Sequence, residues 1–458
     1  MQGWLQRGPV LWLLLCPLIV GIARGSGYLI LRPNEVFLLA LTGLLLLVSL
    51  RKLAHGGLRL PSSNMTDGAV LGLVICGTVL PLLLGIGRGT ALSSDDFLYS
   101  FVFLKYALLY FYFRLSVQSL NTIKLSIAAI LISSAIVAII ALLQAKELLG
   151  VPWFLANFYD RPFEGSSGPD SLRASSTIAS SFGLADSMAL AMSLAIAVSI
   201  LHPTLSLRQR AIYIAGAVLF LLAALASGSF SGVIGCGVVF TVTGLLVGRF
   251  RQLFAFALPV AILGMAMLWP TIAARLEGFS GYRSLPRSWL GRIENLERFF
   301  WPELSNGWNW LLGVRPAARV PAPEAWREWV YIESGYTWLF WTGGLPLFLA
   351  FLYFLWAITH DLLPGIRLAA PDMRALRICA LAGAAMIAVL MLFDPHLTVR
   401  GCADLYFPLL ALAVFRPRAQ VSGLAPARSS LQFTAPASDM STMYSTRPVP
   451  ARMVKPAI

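Results

Sequence analysis

The chain has 458 residues, of which 58% are hydrophobic and only 12% charged, and its formal net charge is +14. Soluble domains carry roughly 25% charged residues, so a deficit spread over nearly the whole length excludes a water-soluble fold and makes a bilayer the solvent. The lysines and arginines are dispersed over short loops between apolar runs, which excludes the basic stripe of a nucleic-acid-binding protein.

A spanning helix needs about 20 mostly apolar residues. Runs of that kind lie near 9–24, 34–50, 68–87, 97–114, 122–148, 177–201, 210–227, 230–248, 252–270, 334–358, 375–393 and 403–416. They predict an all-α, polytopic membrane bundle over 1–416 with about twelve transmembrane helices, the last of them short. The first run, with Arg7 before it, is like a signal-peptide core. Arg24 stands where a small-residue cleavage site would fall, so the run reads as a retained helix.

Sides follow from where the positive charges lie. With the N-terminus in the cytoplasm, the cytoplasmic connections hold Arg51, Lys52 and Arg59; Arg114 and Lys124; Arg208 and Arg210; Arg249 and Arg251; and Arg367, Arg374 and Arg377. The short outer turns near 88–96, 227–230 and 394–402 are poor in Lys and Arg, and the first carries Asp95 and Asp96. Arg24 and Arg32 are the exceptions. Two longer segments fall outside, one at 150–176 and a larger one at 271–333. The tail, 417–458, is rich in Ser, Ala, Pro and Met and reads as disordered cytoplasmic chain.

Cys16, Cys76, Cys236, Cys379 and Cys402 form no CxxC, so neither a disulfide framework nor a zinc site is indicated. His55, His202, His360 and His396 are far apart in sequence, and no metal or cofactor is expected. Lys105 in the fourth run and Asp186 in the sixth are ionisable residues inside spans, which mark functional candidates by default. Snorkelling of Lys105, pairing of the two, or a local bend capped by Asp186 are the structural alternatives.

The 271–333 insert carries Arg275, Arg283, Arg287, Arg292, Arg298, Arg315, Arg319 and Arg327. Long outer loops translocate regardless of charge, so these arginines are not orientation signals. Trp289, Ile293, Leu296 and Phe300 recur at helical spacing, which predicts a helix over 288–300 resting its apolar face in the membrane interface. Glu294, Glu297 and Arg298 point away from that stripe, and Arg292 falls at its edge, at headgroup depth. Snorkelling, or pairing with Glu294 and Glu297, is the structural alternative for such an arginine. Gly307–Val314 reads as a turn on the membrane edge. Glu333 stands at the mouth of the tenth run, either as an acid complementing the helix dipole or as a general base. Arg173, in Leu172-Arg173-Ala174-Ser175-Ser176-Thr177, sits above a hydroxyl-rich helix start, a place that favours anions. An ordinary surface arginine is the alternative there.

Three pieces in order resemble the O-antigen ligase/O-antigen polymerase superfamily of bacterial inner membranes. Leu172–Thr177 before a span is similar to the family's arginine segment. Ala226-Ser227-Gly228-Ser229-Phe230-Ser231-Gly232 is similar to its tight Ser/Gly turn. Leu290-Gly291-Arg292 to Trp301, then Leu311–Val314, then Glu333 to Gly344, resembles its large periplasmic loop and following helix. The likeness covers roughly residues 90–410 in layout. Gly228 stands where the family often has an arginine, and Glu333 where ligases usually carry a histidine, which favours a polymerase.

The resemblance implies metal-independent sugar transfer from an undecaprenyl-diphosphate-linked oligosaccharide at the periplasmic face, with both termini cytoplasmic. Arg173 and Arg292 are then the expected clamp on the leaving diphosphate, and Glu333 accepts the acceptor's proton. Arg283, Arg287, Trp289, Arg315 and Tyr336 are expected to bind substrate. Trp301, Trp308 and Trp310 either stack on sugars or anchor at the interface. A chain-length regulator and a flippase are the expected protein partners. The competing readings are a ligase moving finished glycan to lipid A core or protein, and a transporter of the lipid-linked oligosaccharide, though the internal repeat of many transporters is not visible.

Overall fold

The computed structural model describes residues 2–19, 33–54, 62–89, 91–159, 173–269, 273, 287–324 and 328–416, without the side chains of 2–6, 52, 287 and 288. The expected disordered tail, 417–458, lies outside the described residues. The helices are α1 (Gln2–Leu15), α2 (Pro33–Ala54), α3 (Met65–Gly87), α4 (Ser94–Ser116), α5 (Leu120–Ala145), α6 (Val151–Phe158), α7 (Ser181–Leu201), α8 (Leu207–Ala226), α9 (Phe230–Val247) and α10 (Phe250–Met267). In the insert follow α11 (Arg287–Asn295), α12 (Trp301–Ser305), α13 (Asn309–Leu312) and a hairpin of β1 (Arg319–Pro321) and β2 (Trp329–Tyr331). Then come α14 (Gly335–Leu362), α15 (Pro371–Leu390) and α16 (Cys402–Ala413).

Ten helices among the described residues are long and apolar enough to cross a membrane: α2 to α5, α7 to α10, α14 and α15. The first and last apolar runs form shorter helices, Arg7–Leu18 and Cys402–Ala413. The chain is a multi-pass, all-α membrane protein. Local chemistry sets the helix starts. Ser180 accepts a hydrogen bond from the Gly183 N–H and so begins α7 later than the apolar pattern does. Ser93 and Asp96 form a capping box at α4, and Ser206 and Gln209 another at α8.

α7 is the axis of the bundle, with 89% of its span inside the protein against 6% for α10. Its alternation of Ala, Ser and Gly lets neighbouring backbones approach closely. Its Ser193 hydroxyl meets the Thr243 hydroxyl of α9 at 2.7 Å.

The connections sort into two sets, and the polar contacts stay within each set. At one end Arg114 pairs with Asp67 at 2.9 Å, the Thr66 hydroxyl donates to Asp361 at 2.8 Å, and His202 lies 3.7 Å from Asp372. At the other end gather the insert, the 88–96 turn, Arg173, the 227–229 turn and the 391–401 loop. This sorting follows from the alternation of the spans.

The insert is fastened to α4. Arg315 pairs with Asp96 at 2.8 Å, Asp96 also accepts the Ala317 N–H at 3.0 Å, and Arg319 pairs with Asp95 while lying over the Trp329 ring. Arg88 donates to the Gly313 carbonyl at 2.8 Å. Replacing Asp96 by Asn removes the charge that gathers these donors. Proteolysis of the insert in folded protein is expected to accelerate several-fold, while the spans stay protected. An unchanged cleavage rate would mean that the hairpin holds without these ion pairs.

The predicted interfacial stripe is corrected. Leu296 and Phe300 are buried, but Ile293 is 42% exposed, and the regular helix gives way to a π turn at Leu296–Phe300. The buried side faces protein: the Phe300 ring packs edge-on to Trp341 of α14 at 5.1 Å. Glu294, Glu297 and Arg298 do point away. The helix docks on α14, where Val314 N–H donates to the Trp341 carbonyl at 2.7 Å beside a break in α14 at Gly344 (φ 62°, ψ −158°).

Candidate functional site

Arg173 enters the bundle end on a pinned segment. The Gln144 side-chain carbonyl accepts the N–H groups of Ser175 and Ser176 at 2.9 and 2.7 Å, and Ala174 N–H donates to the Ala226 carbonyl at 3.0 Å. The Arg173 guanidinium donates to the Ser181 hydroxyl at 2.6 Å and to the Ser227 carbonyl at 3.4 Å. It therefore joins the first turn of α7 to the Ser/Gly turn between α8 and α9. That turn is closed by Gly228 at φ +58°, with Ser229 capping α9.

Arg292, in the last turn of α11, lies between two carboxylates. Its Nη1 is 3.1 Å from Asp394 Oδ2, and its Nε is 3.7 Å from Glu333 Oε1. Glu333 immediately precedes Ser334, whose hydroxyl caps α14 by accepting the Thr337 N–H. Capping belongs to Ser334, and Glu333 is left facing Arg292. Asp394 follows α15 and is buried. Burial pushes its carboxyl up, and the Arg292 charge opposes this without cancelling it.

Behind Asp394 lies His396, whose Nδ1 is 2.5 Å from Asp186 Oδ2, with both side chains wholly buried. Phe182 packs edge-on to the imidazole at 5.7 Å. Burial alone pulls an imidazole down, but the charge and hydrogen bond of Asp186 outweigh it, and His396 is raised above the ordinary histidine value. A charge-alternating row therefore runs from the core to the surface: Asp186, His396, Asp394, Arg292, Glu333. Ser181, which holds Arg173, and Asp186, which starts the row, are five residues apart on α7, about 7.5 Å of helix rise. The arrangement presents Arg292 beside a half-exposed carboxylate, with Arg173 held by polar partners at the same bundle end. It is suited to holding an anion next to a group that accepts a proton.

The other sequence candidates lie elsewhere or are otherwise engaged. Arg315 is paired with Asp96 and Ser93. Trp289 packs on Phe393 at 5.1 Å. The Tyr336 hydroxyl donates to the Ala388 carbonyl at 2.7 Å, which makes it a strut between α14 and α15. Arg283 lies outside the described residues, as does the side chain of Arg287. Trp301, Trp308 and Trp310 are exposed, as interfacial anchors are. Arg298 pairs with Glu324 at 3.1 Å.

Two pairings raised as structural alternatives are not seen. Asp186 meets His396 rather than Lys105, which lies instead 3.8 Å from Glu35 and 3.7 Å from Asp404. Arg292 meets Glu333 and Asp394 rather than Glu294 and Glu297. Asp394 and His396 escaped sequence reasoning. Their one signal is Asp394-Pro395-His396 itself, an acid and an imidazole in a turn between apolar runs. Among the described residues no group of three or more His, Cys, Asp and Glu side chains is placed to hold a metal ion.

No protein-family model matches the chain, and no curated protein matches its sequence. Fold and geometry define a multi-pass helical membrane protein that carries, at one end of its bundle, Arg292 between two carboxylates and Arg173 on the Ser/Gly turn.

Proposed function

We propose that this chain is a glycosyltransferase that joins undecaprenyl-diphosphate-linked oligosaccharide repeat units into exopolysaccharide or O-antigen at the periplasmic face of a bacterial inner membrane. The observation that carries the reading is Arg292 held between Asp394 and Glu333, at the bundle end that also holds Arg173. In the reaction an acceptor hydroxyl oxygen attacks the anomeric carbon of the donor. The carbon–oxygen bond to the diphosphate breaks, and the diphosphate leaves with the bonding pair. Arg173 and Arg292 stabilise the charge that gathers on that leaving group. Glu333 takes the acceptor's proton. Asp394 restrains Arg292, so that its free N–H groups stay aimed at the diphosphate rather than collapsing onto Glu333.

Deleting the protein and sizing the glycans left on the lipid carrier tests this. Single repeat units accumulating at the periplasmic face are expected. Long chains stranded on the carrier would replace this reading with a ligase. Units held at the cytoplasmic face would replace it with a flippase.

A further inference from the structure

Asp186 and His396 touch neither the acceptor nor the leaving group in the reaction above, yet they form a wholly buried ion-pairing contact at 2.5 Å inside the bundle. Such a pair is costly to desolvate and stands directly behind Asp394: the His396 backbone N–H donates to the Asp394 carbonyl at 2.7 Å. The His396 Nε2 is buried and has no hydrogen-bond partner.

We propose that Asp186 and His396 are positioning residues, which keep an imidazolium behind Asp394 so that Asp394 stays ionised and fixes the aim of Arg292 at the substrate diphosphate. The inference rests on the polyprenyl-diphosphate reading. The chain of effects runs outward. Asp186 on α7 holds the charge on His396, His396 offsets the burial of Asp394, and ionised Asp394 anchors Arg292 at 3.1 Å. When His396 loses its proton, the burial of Asp394 is no longer offset, and its hold on Arg292 weakens. The second carboxylate near Arg292, Glu333 at 3.7 Å, then competes for the guanidinium, and the clamp loses its aim.

The groups that face this imidazole come from several elements. They are Asp186 from α7, Arg292 from α11, Asp394 from its own loop, and Cys402 of α16, whose thiol faces Asp186. From α4, Tyr106 reaches the same loop, with its hydroxyl donating to the Thr398 carbonyl at 3.2 Å. The Asp186 and Asp394 charges favour the imidazolium, while Arg292 and burial disfavour it, and His396 ends raised. The imidazolium, and with it the clamp, is present below the folded-state value of His396 and is lost as pH rises through it.

The test uses the full chain in lipid nanodiscs, with undecaprenyl diphosphate as the binding probe and nitrogen-15-labelled histidine for magnetic resonance. The His396 signal is assigned by its loss in His396→Gln. Its titration midpoint is expected to fall by at least one pH unit in Asp186→Asn and to fall also in Asp394→Asn. Probe affinity in the wild type is expected to drop as pH passes the His396 midpoint. The drop moves to lower pH in Asp186→Asn, and His396→Gln binds at least tenfold more weakly with no such pH step. Asp394→Asn carries the titration arm if Asp186→Asn does not survive purification. A His396 midpoint unmoved by either substitution overturns the positioning role, even where the wild type binds the probe. A moved midpoint in a wild-type protein that binds no undecaprenyl diphosphate at any pH instead overturns the functional reading beneath it, and the diphosphate-aiming role falls with it.

Discussion

Replacing Arg292 by alanine is expected to lower glycan elongation at least about 100-fold, the scale of removing one preorganised donor from a developing anion. The loss should appear in turnover more than in apparent substrate affinity, because the diphosphate carries its full charge only as the bond breaks. Lysine is a poor substitute. Arg292 addresses Asp394 and Glu333 through different nitrogens of one planar group, and an ammonium on a flexible stem cannot hold that fork. Alanine also strips buried Asp394 of its counter-charge, at a cost of about 1–3 kcal/mol. The Arg292→Ala/Asp394→Asn double variant should recover that stability without recovering activity. Recovery of activity in the double variant would mean that Arg292 matters only as a structural partner of Asp394. Radiolabelled repeat-unit incorporation and thermal unfolding of the same preparations separate the two effects.

Much of the fold was legible because the bilayer enforces simple rules. An apolar run of about 20 residues has few alternatives to a spanning helix, and ten of the runs are such helices. The site was legible only in part. Arg173, Arg292 and Glu333 stood out as charges in a chain with few of them, and Arg292 and Glu333 are neighbours in space. Asp394 and His396 were not legible as site residues. Asp186 and His396 are 210 positions apart, and no local pattern announces a pair that only the packing of α7 against the 391–401 loop creates. The apolar stripe over 288–300 divides, with Leu296 and Phe300 packed into protein and Ile293 exposed, and a π turn at Leu296–Phe300 interrupts the helical period that the spacing assumed. The Arg315–Asp96 pair was not legible, because the two residues are 219 positions apart and Asp96 also belongs to a helix cap.

Replacing Gly344 by alanine is expected to destabilise the protein by at least about 2 kcal/mol, and to lower activity with it. Gly344 sits at φ +62°, which an L side chain resists, and an added β-carbon would fall on the Leu311 carbonyl and close to the Gly313 nitrogen. Those are backbone atoms and do not move aside as a side-chain tip does. The 311–314 segment would be pushed off α14, and α11 and Arg292 are carried on the chain that it anchors. Gly291→Ala is the control. It lies next to Arg292 on α11, and an added β-carbon there meets nothing within 4 Å, so it should leave melting temperature and activity unchanged. A Gly344→Ala protein that melts with the wild type would show that the insert docks without the break in α14.

The most direct measurement gives purified wild-type protein, in lipid vesicles, the lipid-linked units extracted from a deletion strain, and follows glycan length on a gel. Wild-type protein is predicted to convert single units into a ladder of longer chains still linked to the carrier, and Arg292→Ala protein to leave them single. Units left single by the wild type, or a ladder formed equally by both, would contradict the account.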